Sequence, residues 1–309
     1  MLKYTLKRIL TGILSLFVLV SVAFFLTRLM PGSPFETGNT SAHVQAEIEA
    51  EYGLSKPLFQ QYQLYLSNLL HGDLGISYKK PGVSVVEVIA RAFPATGKLG
   101  LLAVCASLLV GTALGIWQAT TGNKTVRTGI WLGTILGSGI PNFVWAIILL
   151  LLFGVKLKVL PVTGLDSWQS YLLPVFTLAL YPTSVITRMT RNSFLREMQK
   201  DYVILAKVKG LSKKRIVYVH ILKNAWLPVL NYAGPAAAFL LTGSFVVESV
   251  FTIPGLGREF VSSIANRDYT LILGLTVFMG AVVIGVNLLV DLLCAYLNPK
   301  VRIGLAGGE

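Results

Sequence analysis

The sequence predicts an all-α integral membrane protein with six transmembrane helices and a small helical region outside the membrane after the first of them. Three observations predict this class. Hydrophobic residues make up 54% of the chain and charged residues 13%, with mean hydropathy +0.67, a balance that ordinary soluble domains do not show. Six apolar runs approach or exceed the roughly 20 residues a helix needs to cross the hydrocarbon core. Basic residues are also divided unequally between the two sets of connections that six spans create.

The first span is expected over Ile9 to Met30, inside an N-terminal transmembrane segment 1–30. Lys3, Lys7 and Arg8 precede it in the manner of a secretory leader, but the apolar run is long and no Ala-x-Ala cleavage site follows, so it reads as a retained span. Residues 31–97 then form the extracytoplasmic helical region. Ser41 to Tyr52 has helical composition and stops at Gly53; Ser55 and Pro57 mark the start of a second helix. That second helix is amphipathic, with Leu58, Phe59, Tyr62, Tyr65, Leu66, Leu69 and Leu70 at spacings of three and four. The stripe fits the membrane surface and the flank of a span equally well.

The remaining spans are expected over Leu99 to Trp117, Gly129 to Phe153, Trp168 to Thr187, Ala225 to Val250 and Leu271 to Leu297, within a core of residues 98–303 that leaves a Gly-rich tail, 304–309. Pro141 falls in the third span, Pro174 and Pro182 in the fourth, Pro228 and Pro235 in the fifth. A carbonyl freed by proline needs another partner inside lipid, so these helices are expected to face protein or a cavity. Gly111 with Gly115, and Gly133 with Gly137, lie one turn apart and permit close helix contact.

The net charge of +13 raises nucleic acid as a partner, but the basic residues do not share a surface. With the N-terminus inside, the segments 1–8, 120–128, 188–224 and 298–309 hold 17 of the 27 lysines and arginines. The positive-inside rule therefore places both termini in the cytoplasm, with no nucleic-acid role.

Enzyme and metal constellations are not found. Cys105 and Cys294 lie in apolar runs, where thiols behave as small hydrophobes; His43, His71 and His220 are scattered without ligand spacing, so no metal is assigned. Gly122-Asn123-Lys124-Thr125 is the nearest approach to a phosphate-binding loop, and it lacks both the glycine beside the lysine and the earlier glycine. Two carboxylates stand out. Glu248 is near the outer end of the fifth span; Asp291 is some eight residues before Pro299, about 12 Å from the inner boundary. Each is either a hydrogen-bonded member of the bundle or a proton or substrate site.

The connection from Arg188 to Asn224 carries the clearest signal. Asp201 and Glu197 are outnumbered by nine basic residues up to Arg215. Tyr202 to Lys209 has helical composition ending at Gly210, a left-handed cap, and Ser212 caps a further helix toward Ile221. A helix this short is marginal alone in water. Tyr202, Leu205 and Ala206 form a stripe suited to a cytosolic partner, while the basic residues equally suit a loop resting on anionic lipid.

At this loop the chain resembles the membrane subunits of ABC importers of the oligopeptide and dipeptide permease family, specifically the first of its two paralogous membrane subunits. Asp201-Tyr202-Val203 through Lys209-Gly210-Leu211-Ser212, followed by Asn224-Ala225-Trp226-Leu227-Pro228, is similar to that family's coupling loop. Met30-Pro31-Gly32-Ser33-Pro34, Gly72-Asp73-Leu74-Gly75, Ile140-Pro141-Asn142-Phe143, Glu248-Ser249-Val250-Phe251, Pro254-Gly255-Leu256-Gly257 and Arg267-Asp268-Tyr269 agree with it too, so the likeness runs from residue 1 to about 303. The general motif's Glu-Ala-Ala falls on Ile204-Leu205-Ala206, its acidic residue before glycine is Lys209, and the commoner Asp-Pro-Arg near the end reads Asn298-Pro299-Lys300.

The resemblance implies a type I ABC importer architecture, with 98–303 as a five-helix core and 188–224 as its coupling loop. It implies a non-catalytic permease subunit in the cytoplasmic membrane. Expected partners are a paralogous permease, two ABC ATPase subunits, an extracytoplasmic substrate-binding protein, membrane lipid and a peptide substrate; ATP and Mg2+ belong to the ATPases, with no cofactor in this chain. Asp201, Tyr202, Leu205, Ala206, Lys207, Lys209, Gly210 and Ser212 are implied to couple to the ATPase. Pro141, Asn142, Glu248 and Asp291 are candidates for the translocation path. Relatives handling nickel complexes, glutathione or haem widen the substrate class. An ion-gradient-driven secondary transporter is the rival, and would normally carry carboxylates at mid-membrane.

Overall fold

The structure, a computed structural model, describes residues 2–30, 56–80 and 82–297. The expected helix at Ser41 to Tyr52 and the Asn298-Pro299-Lys300 segment lie outside the described residues, as does most of Met30-Pro31-Gly32-Ser33-Pro34.

Helix α1, Leu2–Leu29, carries a stretch free of charged residues between Arg8 and Arg28 and exposes Leu, Ile, Val and Phe along much of its length, as a lipid-facing helix does. Helix α2, Leu58–Leu70, begins after Pro57 and packs on α1. Tyr62 and Ser21 hydroxyls meet at 2.5 Å, and the Tyr62 and Tyr65 rings lie against Phe24 at 5.3 and 5.5 Å. Its stripe thus divides: the tyrosines clasp α1, while Leu58, Phe59 and Leu70 stay exposed.

Helix α3, Val85–Thr120, starts well before the expected Leu99, because Ser84 caps it by accepting from the Glu87 amide and Val85, Val88, Ile89 and Ala92 find a core with Leu271 and Leu275. It lies along α6, Leu172–Glu197, which is entered through a 3-10 turn Trp168–Tyr171. The contact is close because glycine faces it: a Cβ on Gly111 would sit 2.8 Å from Ile186, and one on Gly115 2.6 Å from Thr190. Of the second glycine pair, Gly137 meets Ser184 on α6 whereas Gly133 faces open space.

The third and fifth expected spans are not continuous helices. Helix α4, Lys124–Gly139, stops at Ile140 and Pro141, and α5, Asn142–Leu149, continues as a π-helical segment Leu150–Lys156 at 106° to α4. Pro141 cannot donate a backbone hydrogen bond, and its fixed φ suits the start of a new helix rather than the interior of an old one. The fifth becomes α8, Leu227–Leu241, and α9, Phe245–Val250, separated by Thr242, Gly243 and Ser244. Among the described residues, four helices are long and apolar enough to cross a membrane, or five if the bent α4–α5 pair is one span.

Between α6 and α8 lie α7, Asp201–Val208, and a helical stretch composed of Lys213–Arg215, the π-helical Ile216–Ile221 and Leu222–Ala225. After α9 comes an amphipathic helix absent from the sequence reading, α10, Leu256–Ala265, and then α11, Tyr269–Leu297, which packs on α1 and α8. One end of the bundle carries α2, α9, α10 and the start of α3; the opposite end carries α7.

Candidate functional site

Helix α7 is held by its own chain. Val203 and Ala206 are buried with Phe194 of α6 and with Ile216, Ile221 and Ala225 of the following helical stretch. That cluster supplies the stability an eight-residue helix lacks in water. Asp201 in the first turn complements the positive N-terminal end of the helix dipole. Tyr202 donates from its hydroxyl to Glu197 Oε2 at 2.6 Å and accepts from Asn224 Nδ2 at 3.2 Å, joining all three elements. Burial, then the Glu197 carboxylate, raises the Tyr202 phenol above its ordinary range.

The end of α7 follows the sequence expectation. Gly210 adopts φ +74°, its amide donates to the Lys207 carbonyl at 3.0 Å, and the Leu211 amide reaches back to Ala206 at 3.2 Å. Ser212 Oγ accepts from the Arg215 amide at 3.4 Å.

The expected stripe of Tyr202, Leu205 and Ala206 does not form one surface. Ala206 is 4% exposed and Tyr202 half-buried, both facing the chain's own core. The outward apolar face is Ile204, Leu205 and Val208, exposed by 51, 55 and 78%, bordered by Asp201, Lys207 and Lys209. Ile204 and Val208 lie one turn apart, so this face is continuous. It can seat in an apolar recess with a polar rim.

The four path candidates are dispersed. Pro141 and Asn142 stand at the α4–α5 break, exposed and half-buried. Glu248 is 2% exposed in α9 and fully engaged: Oε1 accepts from Thr96 Oγ1 at 2.9 Å and Oε2 from the Arg258 amide at 2.9 Å. Gly255 and Gly243 leave the room, since a Cβ at either would lie within 2.7 Å of the carboxyl group. Asp291 lies on α11 with Arg8 Nη2 of α1 at 3.1 Å, a half-exposed ion pair between the first and last helices.

Two residues escaped the reading of the sequence as site residues. Thr96 serves Glu248 and also accepts from the Leu256 amide at 2.8 Å. Asp268, 1% exposed, accepts from Ser77 Oγ, from the Tyr78 and Lys79 amides at 3.1 and 3.3 Å and from Leu271 at 3.3 Å, pinning the hairpin before α3 to the start of α11. The available signal was Asp268 directly before an apolar run, a helix-capping position.

The chain matches the family model of the binding-protein-dependent transport system inner membrane component over residues 111–303, and that of the N-terminal region of such membrane components over 1–100. It is 41% identical over 305 residues to the oligopeptide transport system permease protein OppB of Haemophilus influenzae, covering 98% of this chain and all of that one. To the dipeptide transport system permease protein DppB of Bacillus subtilis it is 38% identical over 308 residues, covering 99% and 100%. Among solved structures, the inward-facing MetNI methionine ABC transporter superposes with TM-score 0.54 at 15% identity, over 68% of this chain and 96% of that one. An amino acid ABC transporter crystallised with histidines superposes with TM-score 0.54 at 17% identity, over 75% and 98%. At such identities the likeness is one of fold, and it is the fold of ABC importer membrane subunits.

Proposed function

This chain belongs to the family of inner membrane components of binding-protein-dependent transport systems, and from that premise we propose that it is the permease subunit of a peptide importer, forming half of the translocation pathway. It is a multi-pass protein of the cell membrane. Peptide as the cargo is supported by relatives named for oligopeptide and dipeptide transport that align over nearly the whole chain. In this reading both termini and α7 face the cytoplasm, and α2, α9 and α10 face outward.

The observation that carries the mechanism is α7. A short helix fixed by its own core, turning Ile204, Leu205 and Val208 outward, transmits a push without deforming. Two ATPase subunits, which bind ATP and Mg2+, press on this face and on its counterpart in a paralogous permease. A substrate-binding protein delivers peptide to the opposite end, and the paired membrane subunits alternate in access. Asp201, Leu205, Lys207 and Lys209 form the contact in this chain; Tyr202, Ala206, Gly210 and Ser212 hold its shape. Pro141 and Asn142 border the path. The chain itself contributes no catalytic group.

The test is reconstitution of the assembled transporter with labelled peptide. Uptake that requires ATP and all partner chains is the expected result. Uptake by this chain alone on a proton or sodium gradient, without ATP, would overturn the reading.

A further inference from the structure

Helix α6 has two unlike faces. Leu172 and Phe176 are exposed on one. On the other, Tyr181, Arg188 and Asn192 recur at spacings of seven and four, which a helix of 3.6 residues per turn brings into line. Tyr181 is 48% exposed, Arg188 half-buried and Asn192 exposed. Arg188 Nη1 donates to Ser138 Oγ on α4 at 3.0 Å, and half-buried Tyr232 lies on α8, which packs on α6. Two helices therefore bring a guanidinium and a hydroxyl together beside the Pro141–Asn142 break, with Tyr181 on the same face of α6.

Arg188 stands one residue past the expected end of the fourth span, but α6 runs on to Glu197, so the cluster lies inside the helical bundle. Arg188 is about 24 Å along α6 from Leu172, and Ser138 is about 21 Å along α4 from Lys124 at the opposite end, at about 1.5 Å per residue. A cation at that depth is costly facing lipid and is ordinarily paired or turned to water. Among the described residues no carboxylate pairs with Arg188: the ion pairs join Arg8 to Asp291, Lys80 to Glu259 and Arg91 to Glu87. Its guanidinium has five donors, one of which is engaged by Ser138.

We propose that Arg188, on the α6 face that also carries Tyr181 and Asn192, is an anion station that receives the carboxylate of the passing cargo. A planar fork of N–H donors matches a carboxylate in two parallel bonds, and the Tyr181 phenol on the same helix face adds a donor without adding charge. This rests on the peptide-import reading, since every unmodified peptide carries a terminal carboxylate. The nearby Asn142 and Ser138 extend the polar lining to the break in the third span.

The test uses the complete transporter in proteoliposomes, in a C105A/C294A background that still transports. Single cysteines at Y181C and at L109C, an exposed position on α3, are treated with impermeant anionic and cationic thiol reagents. We expect Y181C to react with the anionic reagent about tenfold faster than with the cationic one, to lose that preference when combined with R188Q and to keep it with R188K. Saturating peptide should slow the labelling, and R188Q should reduce uptake of free-acid peptides more than of their C-terminal amides. Labelling of Y181C no faster than L109C, a charge preference indifferent to R188Q, or equal loss of acid and amide uptake would each overturn the proposal. A wild-type assembly that moves no peptide would instead overturn the proposed cargo, while the labelling comparison would still report water and charge at Arg188.

Discussion

The Thr96 hydroxyl donates to Glu248 Oε1 at 2.9 Å and accepts from the Leu256 amide at 2.8 Å, so one side chain on α3 fastens both α9 and the start of α10. The Arg258 amide completes the carboxylate's shell. Glu248 is thereby the keystone of the elbow that replaces the continuous end of the fifth expected span. Its burial has a local cause: Gly243, at φ +97°, and Gly255 bring backbone within reach of the carboxyl group, where a side chain would collide with it.

Thr96→Val keeps the volume but removes both hydrogen bonds, leaving a buried carboxylate oxygen and a buried amide without that partner. A loss of about 1–3 kcal/mol per unsatisfied group is expected, read as a lower thermal midpoint of the detergent-purified assembly, with Thr96→Ser close to wild type. An unchanged midpoint for Thr96→Val would show that the clasp does not stabilise the fold.

Asp291 gives the opposite expectation. Its partner Arg8 is half-exposed, and pairs of that kind contribute about 0–1 kcal/mol. Asp291→Asn should leave assembly and ATP-driven uptake near wild type. Loss of uptake by an intact assembly would return Asp291 to the translocation path.

The two sides of α7 separate coupling from folding. Leu205→Asp places charge on the outward face while Val203 and Ala206 remain packed, so the complex should accumulate normally while peptide-stimulated ATPase activity and uptake fall by at least about tenfold, the effect of losing about 1.4 kcal/mol of contact. Ala206→Glu instead inserts a charge among Phe194, Ile216 and Ala225, and should lower the amount of folded subunit. If both variants accumulated equally and Leu205→Asp transported normally, the outward face would not be the contact.

Much of this architecture was legible because its causes are local. The Gly210 cap, the Ser212 cap and the start of α2 after Pro57 depend on a few consecutive residues, and each lies where the chain's own pattern puts it. The broken fifth span was not legible. Val246, Val247 and Val250 continue the apolar run past Gly243, and the elbow that follows the break is held by distant Thr96 and by the Arg258 amide gathered around Glu248. Ala206 is misplaced by its pattern for a similar reason: spacing of three and four groups it with Tyr202 and Leu205, but the buried side is set by Phe194 and Ile221, which no periodicity within α7 contains.

Gly210 offers the most discriminating substitution, because space and backbone pull apart there. A Cβ at this position meets nothing within 4 Å, so an added side chain is not excluded by packing; the φ of +74° alone penalises it. Gly210→Ala should therefore cost about 1 kcal/mol, and Gly210→Asn less, since asparagine tolerates the left-handed region. Gly210→Val, branched at Cβ, should cost the most. Protease nicking of the loop between α6 and α8 should rise in the order Gly, Asn, Ala, Val, and uptake should fall in the same order. Equal behaviour of Asn and Val would mean that the cap conformation is not what positions α7.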